Sequence, residues 1–392
     1  MKTTKRMAIF LAFLAAACGG SSSNPVAELQ AATPDVAGLS LETTGGAADG
    51  LTVSPAGSAL AASAAAASGC EPYQYLCNIH AAVTGLNEYV QAAVEPIEDL
   101  AQTTPTSVEG NVAVFGPVAY PAGTAVADFR LTVAKVAEGS FQWKLEGKPL
   151  GGADSSYLLV AAGRIVRATG DLPHRGHGSL GIDLDALYQL NPATGPAVFP
   201  GEGKLLLGFG HSGEAKAVLY ALDKFSPDRV ADPNPVSGIL AGWKSAAGLT
   251  RVRIVSVGEY LGAPNGGADA GDETLLGRAG WFPGVGGRAA VVLTGGDVPA
   301  YGVDFFLGLS CFDESQSDVY RALYGCTAGV CTLVANAPAG FNVGSPSACD
   351  PATDIGIDEK SPPSTSTTDP GMEPGAPAVP DLPPASMQSL SF

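Results

Sequence analysis

Residues 129–146 read FRLTVAKVAEGSFQWKLE, and the first and last six residues of that stretch set the fold class. Phe129, Leu131 and Val133 alternate with Arg130, Thr132 and Ala134; Phe141, Trp143 and Leu145 alternate with Gln142, Lys144 and Glu146. A period of two places alternate side chains on opposite sides of an extended chain, so each run is a strand with one buried and one wetted face. Such strands belong to antiparallel sheet that meets water on one side. Eight further runs carry a strand signal: 112–115, 157–166, 179–184, 205–209, 218–222, 251–257, 289–293 and 303–309. Gly/Pro-rich turns separate them, in a chain with 51 Gly and 30 Pro. Too few helical segments lie between them for a doubly wound fold. The expectation is a β-rich α+β fold, mostly antiparallel, arranged as a curved sheet or a sandwich, with no repeat of fixed period.

Upstream the period changes. Ile79, Val83, Leu86, Val90, Ala93, Ile97 and Leu100 recur every three or four residues, one apolar stripe along a helix. Pro96 should kink or divide that helix near Glu95. Pro96 and Gly85 favour docking on a sheet over a coiled-coil partner.

The chain has 392 residues, 46% hydrophobic and 15% charged, enough apolar material for a sizeable core. Its 21 Lys+Arg against 38 Asp+Glu give a net charge of −17. That balance argues against a nucleic-acid partner and a polybasic membrane patch, both of which need clustered cations. Beyond the N-terminus no run of 18 apolar residues is long enough to span a bilayer as a helix. Charge is uneven: between residues 7 and 129 there is no Lys or Arg against eleven acidic residues. Like charge on the flanks keeps tethered segments solvated.

Lys2, Lys5 and Arg6 precede the apolar run 7–17, the layout of a signal peptide. The run ends Leu14-Ala15-Ala16-Ala17-Cys18, which resembles the lipobox of bacterial lipoproteins. The resemblance covers residues 1–18 only. It implies cleavage before Cys18, a diacylglycerol-bearing thiol and membrane attachment. Leu14 stands four places before the cysteine, and Ala15 takes the position usually held by Leu; plain secretory cleavage after Ala17 is the alternative. Gly19 follows, without the Asp that inner-membrane retention would require, so the resemblance implies an outer-membrane-anchored lipoprotein facing periplasm or exterior.

Setting Cys18 aside leaves Cys70, Cys77, Cys311, Cys326, Cys331 and Cys349, an even number in an oxidising compartment. Proximity favours the pairs Cys70–Cys77, Cys326–Cys331 and Cys311–Cys349. The expected organisation is a signal peptide over 1–17 and lipidated Cys18 opening a flexible acidic Ala/Gly/Ser tether to residue 69. One β-rich domain follows over 70–350, then a Pro/Ser/Thr-rich tail over 351–392.

Chemistry is weakly written. Gly208, Gly210 and Gly213 fit G-x-G-x-x-G, but so glycine-rich a chain produces about one such match by chance, and no βαβ context supports it. Ser212 lacks the closing glycine of a nucleophile elbow, and no histidine follows it. His174 and His177 lead into the strand bearing Asp183, and His211 could join them as metal ligands. The ordinary reading there is a solvated strand face. Asp269, Asp272 and Glu273 lie in the glycine-rich loop 262–277 and offer oxygens to calcium, yet match no twelve-position calcium loop. A solvated surface loop is expected. No cofactor is implied. The leading expectation is a lipid-anchored envelope protein with a non-enzymatic binding or structural domain, its partner a protein or an apolar ligand. The alternatives are a carrier holding a lipid between helix and sheet, and a metal-assisted hydrolase using His174, His177, Asp183 and His211.

Overall fold

In the computed structural model, the alternation at 129–146 is a hairpin of β3 (Ala127–Ala137) and β4 (Ser140–Pro149), with Val133 opposite Trp143 and Leu131 opposite Leu145. Phe129, Leu131, Val133, Phe141, Trp143 and Leu145 are buried, whereas Arg130, Thr132, Gln142, Lys144 and Glu146 are half-exposed. The structure describes residues 25–30, 32, 39, 41, 74–120, 126–167, 176–190, 200–212, 215–229, 234–262, 264, 270–335 and 340–349. Residues 1–17, Cys18, Cys70, His174, Asp269 and 351–392, with the expectations attached to them, lie outside these.

The hairpin belongs to one antiparallel sheet. Its other strands are β1 (Ser107–Glu109), β2 (Val112–Tyr120), β5 (Leu158–Arg167), β6 (Gly176–Asp183), β7 (Glu202–Ser212), β8 (Ala215–Ser226) and β9 (Val236–Lys244). It continues through β10 (Thr250–Gly258), β11 (Glu273–Phe282), β12 (Gly286–Gly295), β13 (Phe305–Phe312), β14 (Asp318–Thr327), β15 (Val330–Leu333) and β16 (Val343–Gly344). Strands β1 to β15 neighbour one another in chain order, and β16 adds to β14. The sheet is a single meander with ends at β1 and β15 rather than the two layers of a sandwich. Each of the ten runs read from the sequence coincides with a strand, three of them overrunning an end: Tyr157 precedes β5, Leu184 already belongs to a helix, and residues 303 and 304 precede β13.

The apolar stripe forms α2 (Tyr75–Gln102), an α-helix continuous through Pro96 and about 42 Å long at 1.5 Å per residue. Leu76, Ile79, Val83, Leu86, Val90, Val94, Ile97 and Leu100 are buried on it, while Glu88, Gln91, Glu95, Asp99 and Gln102 form an exposed polar stripe. The helix touches β2 and β3 near one end of the meander and β12 and β13 near the other. Midway, Tyr89 meets Phe225 of β8 edge to face, with ring centroids 5.2 Å apart. A helix in contact with both ends and the middle of one sheet requires that sheet to curl around it. One apolar core runs through α2 and strands β2 to β13.

That core also takes in chain expected to be tether. Helix α1 (Pro25–Gln30) contributes Leu29, and Ala32, Leu39 and Leu41 are likewise buried. Asn87 of α2 explains how so polar a segment packs. Its Oδ1 accepts from Leu41 N at 3.0 Å, and its Nδ2 donates to Leu41 O at 2.8 Å. Tyr220 of β8 donates to the same Oδ1 at 2.7 Å. The backbone of residue 41 is thereby satisfied inside the core, so a few leucines suffice to hold the segment. Lys135 of β3 adds an ion pair to Glu28 at 2.7 Å.

A second core lies on the opposite side of β12–β14. Ala290, Val292, Leu307, Leu309, Cys311, Tyr320, Ala322, Cys326 and Cys349 build it. The Cys311–Cys349 disulfide brings in the chain after β16, and Cys326–Cys331 staples the β14–β15 hairpin. Arg321, itself buried, pairs with Asp318 and donates to the carbonyls of Gly340 and Phe341, fastening the same segment. Cys77 is also disulfide-bonded.

Candidate metal centre

The histidine–carboxylate set read from the sequence does not converge among the described residues. His177 is exposed on β6, opposite Gly210 of β7, so His211, next in line, faces the other side of the sheet. Asp183 is six residues from His177 on the same strand, about 20 Å away at 3.3 Å per residue. Its carboxylate caps α3 (Leu184–Gln189) by accepting from Ala186 N, and it pairs with Lys204 at 3.3 Å. Asp185, in the first turn of that helix, pairs with Arg229 at 3.3 Å. The glycine-rich stretch around Gly208 and Gly210 is strand β7, and the chain returns as strand β8. A dinucleotide fingerprint or a nucleophile elbow needs a helix there.

Carboxylates converge elsewhere, at one rim of the sheet. Gly258, the last residue of β10, pairs with Glu273, the first of β11, which in turn pairs with Gly295, the last of β12. Glu259 follows the first of these strands, and Asp297 sits two residues past the third. One carboxylate oxygen from each of Glu259, Glu273 and Asp297 lies within 4.8 Å of the others. Glu273 is 0% and Asp297 1% exposed, and Glu259 is half-buried.

The neighbouring backbone holds two of the three. Oε2 of Glu273 accepts from Tyr260 N at 2.8 Å and Leu261 N at 3.0 Å, and Oε1 accepts from Asp297 N at 2.8 Å. Oδ1 of Asp297 accepts from Ala270 N at 3.0 Å, but its Oδ2 is buried without a partner. Gly296 makes the approach possible: it adopts φ +47°, and a Cβ there would overlap Oε1 of Glu273. Asp272, beside Glu273 in sequence, is exposed and takes no part. The expectation of a solvated loop therefore fails at Glu273, whose side chain points into the rim because it begins a strand on the inward-facing register.

Sequence reasoning singled out Glu273 but missed Glu259 and Asp297. The set spans 39 positions on three strand ends, and no short spacing motif encodes it. The available signal was local: each acid stands next to or near a glycine where a strand meets its loop, as in Gly258-Glu259, Gly271-Asp272-Glu273 and Gly295-Gly296-Asp297.

Helix α2 packs directly on the sheet at three points, and a cavity of about 330 Å3 lies between its first turn and β14, lined by Leu76, Cys77, Asp318, Arg321 and Val343 among others. A Cβ on Gly308 of β13 would overlap the Tyr75 ring, and one on Gly116 of β2 would press Leu100 at 3.3 Å. His80 meets Trp281 of β11 edge to face at 4.7 Å.

No family model, curated protein or solved structure matches this chain.

Proposed function

We propose that the protein is a lipid-anchored lipoprotein of the cell envelope, acylated at Cys18, whose β-rich domain is a non-enzymatic binding or structural module. Support for the anchor is Leu14-Ala15-Ala16-Ala17-Cys18 behind a charged and apolar leader. Two or three acyl chains hold a protein on a bilayer far more firmly than one, since each buried methylene contributes about 0.8 kcal/mol.

The observation that carries the module reading is the packing of α2 into the sheet. Tyr75 against Gly308, His80 against Trp281 and Leu100 against Gly116 bring side chains of α2 into direct contact with the sheet at three points along the helix. The cavity of about 330 Å3 at its first turn has Gln74, Gln316, Ser317, Asp318 and Arg321 in its wall, a lining too polar for a carried lipid. The outer face supplies a surface for a partner. Ala221, Ile239, Val255 and Leu276 form one cross-strand row from β8 to β11, all half-buried. The same row on β3 and β4 carries Thr132 and Lys144, so only part of the outer face is apolar. Burying apolar surface of that kind favours association at roughly 25 cal/mol per Å2.

Labelled palmitate fed to producing cells should enter the protein. Cys18→Ala should abolish the label, and globomycin should accumulate the uncleaved precursor. Absence of label in the wild type would remove the anchor from this reading. Solvent extraction of the purified protein tests the module separately: a stoichiometric lipid in the extract would replace it with a carrier.

A further inference from the structure

We propose that Glu259, Glu273 and Asp297 bind a divalent cation of the calcium class at the β10–β11–β12 rim. Three features of the site point there. First, its geometry suits one ion: calcium binds oxygen at 2.3–2.6 Å, so ligands on opposite sides of it stand at most about 5 Å apart. The three carboxylates fall within that span, at 4.8 Å or less.

Second, the donors are carboxylate oxygens alone, the hard ligand set that calcium takes and that zinc or copper sites supplement with nitrogen or sulfur. Third, and independently of the clustering, the side chain of Asp297 is 1% exposed and its Oδ2 has no hydrogen-bond partner. A buried carboxylate oxygen left bare is strongly unfavourable unless a cation or a donor meets it. Neither Glu273 nor Asp297 forms an ion pair with Lys, Arg or His among the described residues. A purely structural role accounts for Glu273, whose carboxylate gathers three backbone N–H groups from two loops. It leaves Oδ2 of Asp297 unexplained. A cation shared by the three side chains satisfies that oxygen, offsets the buried charge and joins three loops at one point.

The site is independent of the anchor. The test uses the purified full mature chain, stripped with EDTA and titrated with calcium chloride by calorimetry. One calcium per chain should bind, more tightly than magnesium, and raise the melting temperature. Asp297→Asn and Glu259→Gln, each with an unchanged far-UV circular dichroism spectrum, should weaken binding at least tenfold. Glu314→Gln, an exposed acid in another loop, should leave it unchanged. Should Asp297→Asn fail to fold, Glu259→Gln decides alone, because its half-buried side chain tolerates the amide. No calcium uptake by the folded chain, wild-type affinity in the Glu259 variant, or tighter binding of magnesium would each overturn the proposal.

Discussion

His80 is a histidine placed where it cannot take up a proton at ordinary pH. It is 8% exposed on α2, its ring stands edge-on to Trp281, and its Nε2 has no partner. Burial lowers its pKa from 6.5 to about 4. The folded chain therefore holds it neutral through a range in which the unfolded chain protonates. Above about pH 6.5 it is neutral in both states and contributes no pH dependence. As pH falls from about 6.5 to about 4 the unfolded state binds a proton that the folded state refuses, and stability drops by up to about 3 kcal/mol. His80→Phe keeps the ring contact and removes both the titration and the bare nitrogen. Urea unfolding at pH 7 and pH 4.5 should show a smaller acid loss in the variant than in the wild type. An equal loss in both would mean that His80 is hydrated or paired in the folded protein.

The main elements were legible because their signal is local. The stripe from Ile79 to Leu100 gave α2, and a period of two gave β3 and β4, since each pattern reports directly which side of the element faces the core. Strands β9, β11 and β14 escaped notice for an equally local reason. Gly238 and Gly242, Gly277 and Gly280, and Gly325 interrupt their apolar runs, and glycine in isolation weakens a strand. In the folded protein several of these glycines are requirements of packing: a Cβ on Gly242 would overlap Leu41. Which partner each glycine accommodates is long-range information that a pattern along the chain does not hold. The same relation joins Gly308 to Tyr75, and it can be measured. Gly308→Ala should destabilise by about 1–3 kcal/mol, the usual cost of overpacking a core. Tyr75→Leu should relieve part of it, so the double variant loses less than the sum of the two single losses. Strict additivity in urea denaturation would show that the two side chains do not meet.

At the scale of the whole molecule, the sequence leaves a curved sheet and a sandwich both open. The antiparallel character of the sheet follows from the alternating strands, and the disulfides Cys311–Cys349 and Cys326–Cys331 follow from cysteine proximity. The candidate cation site and the packing of Leu39 and Leu41 do not, because they depend on how the sheet curls and on Asn87 meeting a backbone 46 residues away. The curled sheet also divides stability unevenly. Its main core surrounds α2, whereas the second core sits on the other side of β12–β14 and is closed by Cys349. The two disulfides therefore guard the second core alone. In the chain-entropy model the Cys311–Cys349 loop, with a separation of 38, contributes about 4 kcal/mol, against about 2 kcal/mol for Cys326–Cys331, with a separation of 5. Replacing Cys311 and Cys349 together by Ser should loosen the 340–349 segment and β14 before the rest. Hydrogen exchange should then rise at Tyr320–Cys326 while β3, β4 and the buried face of α2 keep their protection. The Cys326→Ser, Cys331→Ser double variant should show the smaller effect, confined to the β14–β15 hairpin. Exchange rising together across β3, β4 and β14 would mean that the two cores unfold as one unit, and that the sheet transmits the loss of one face to the other.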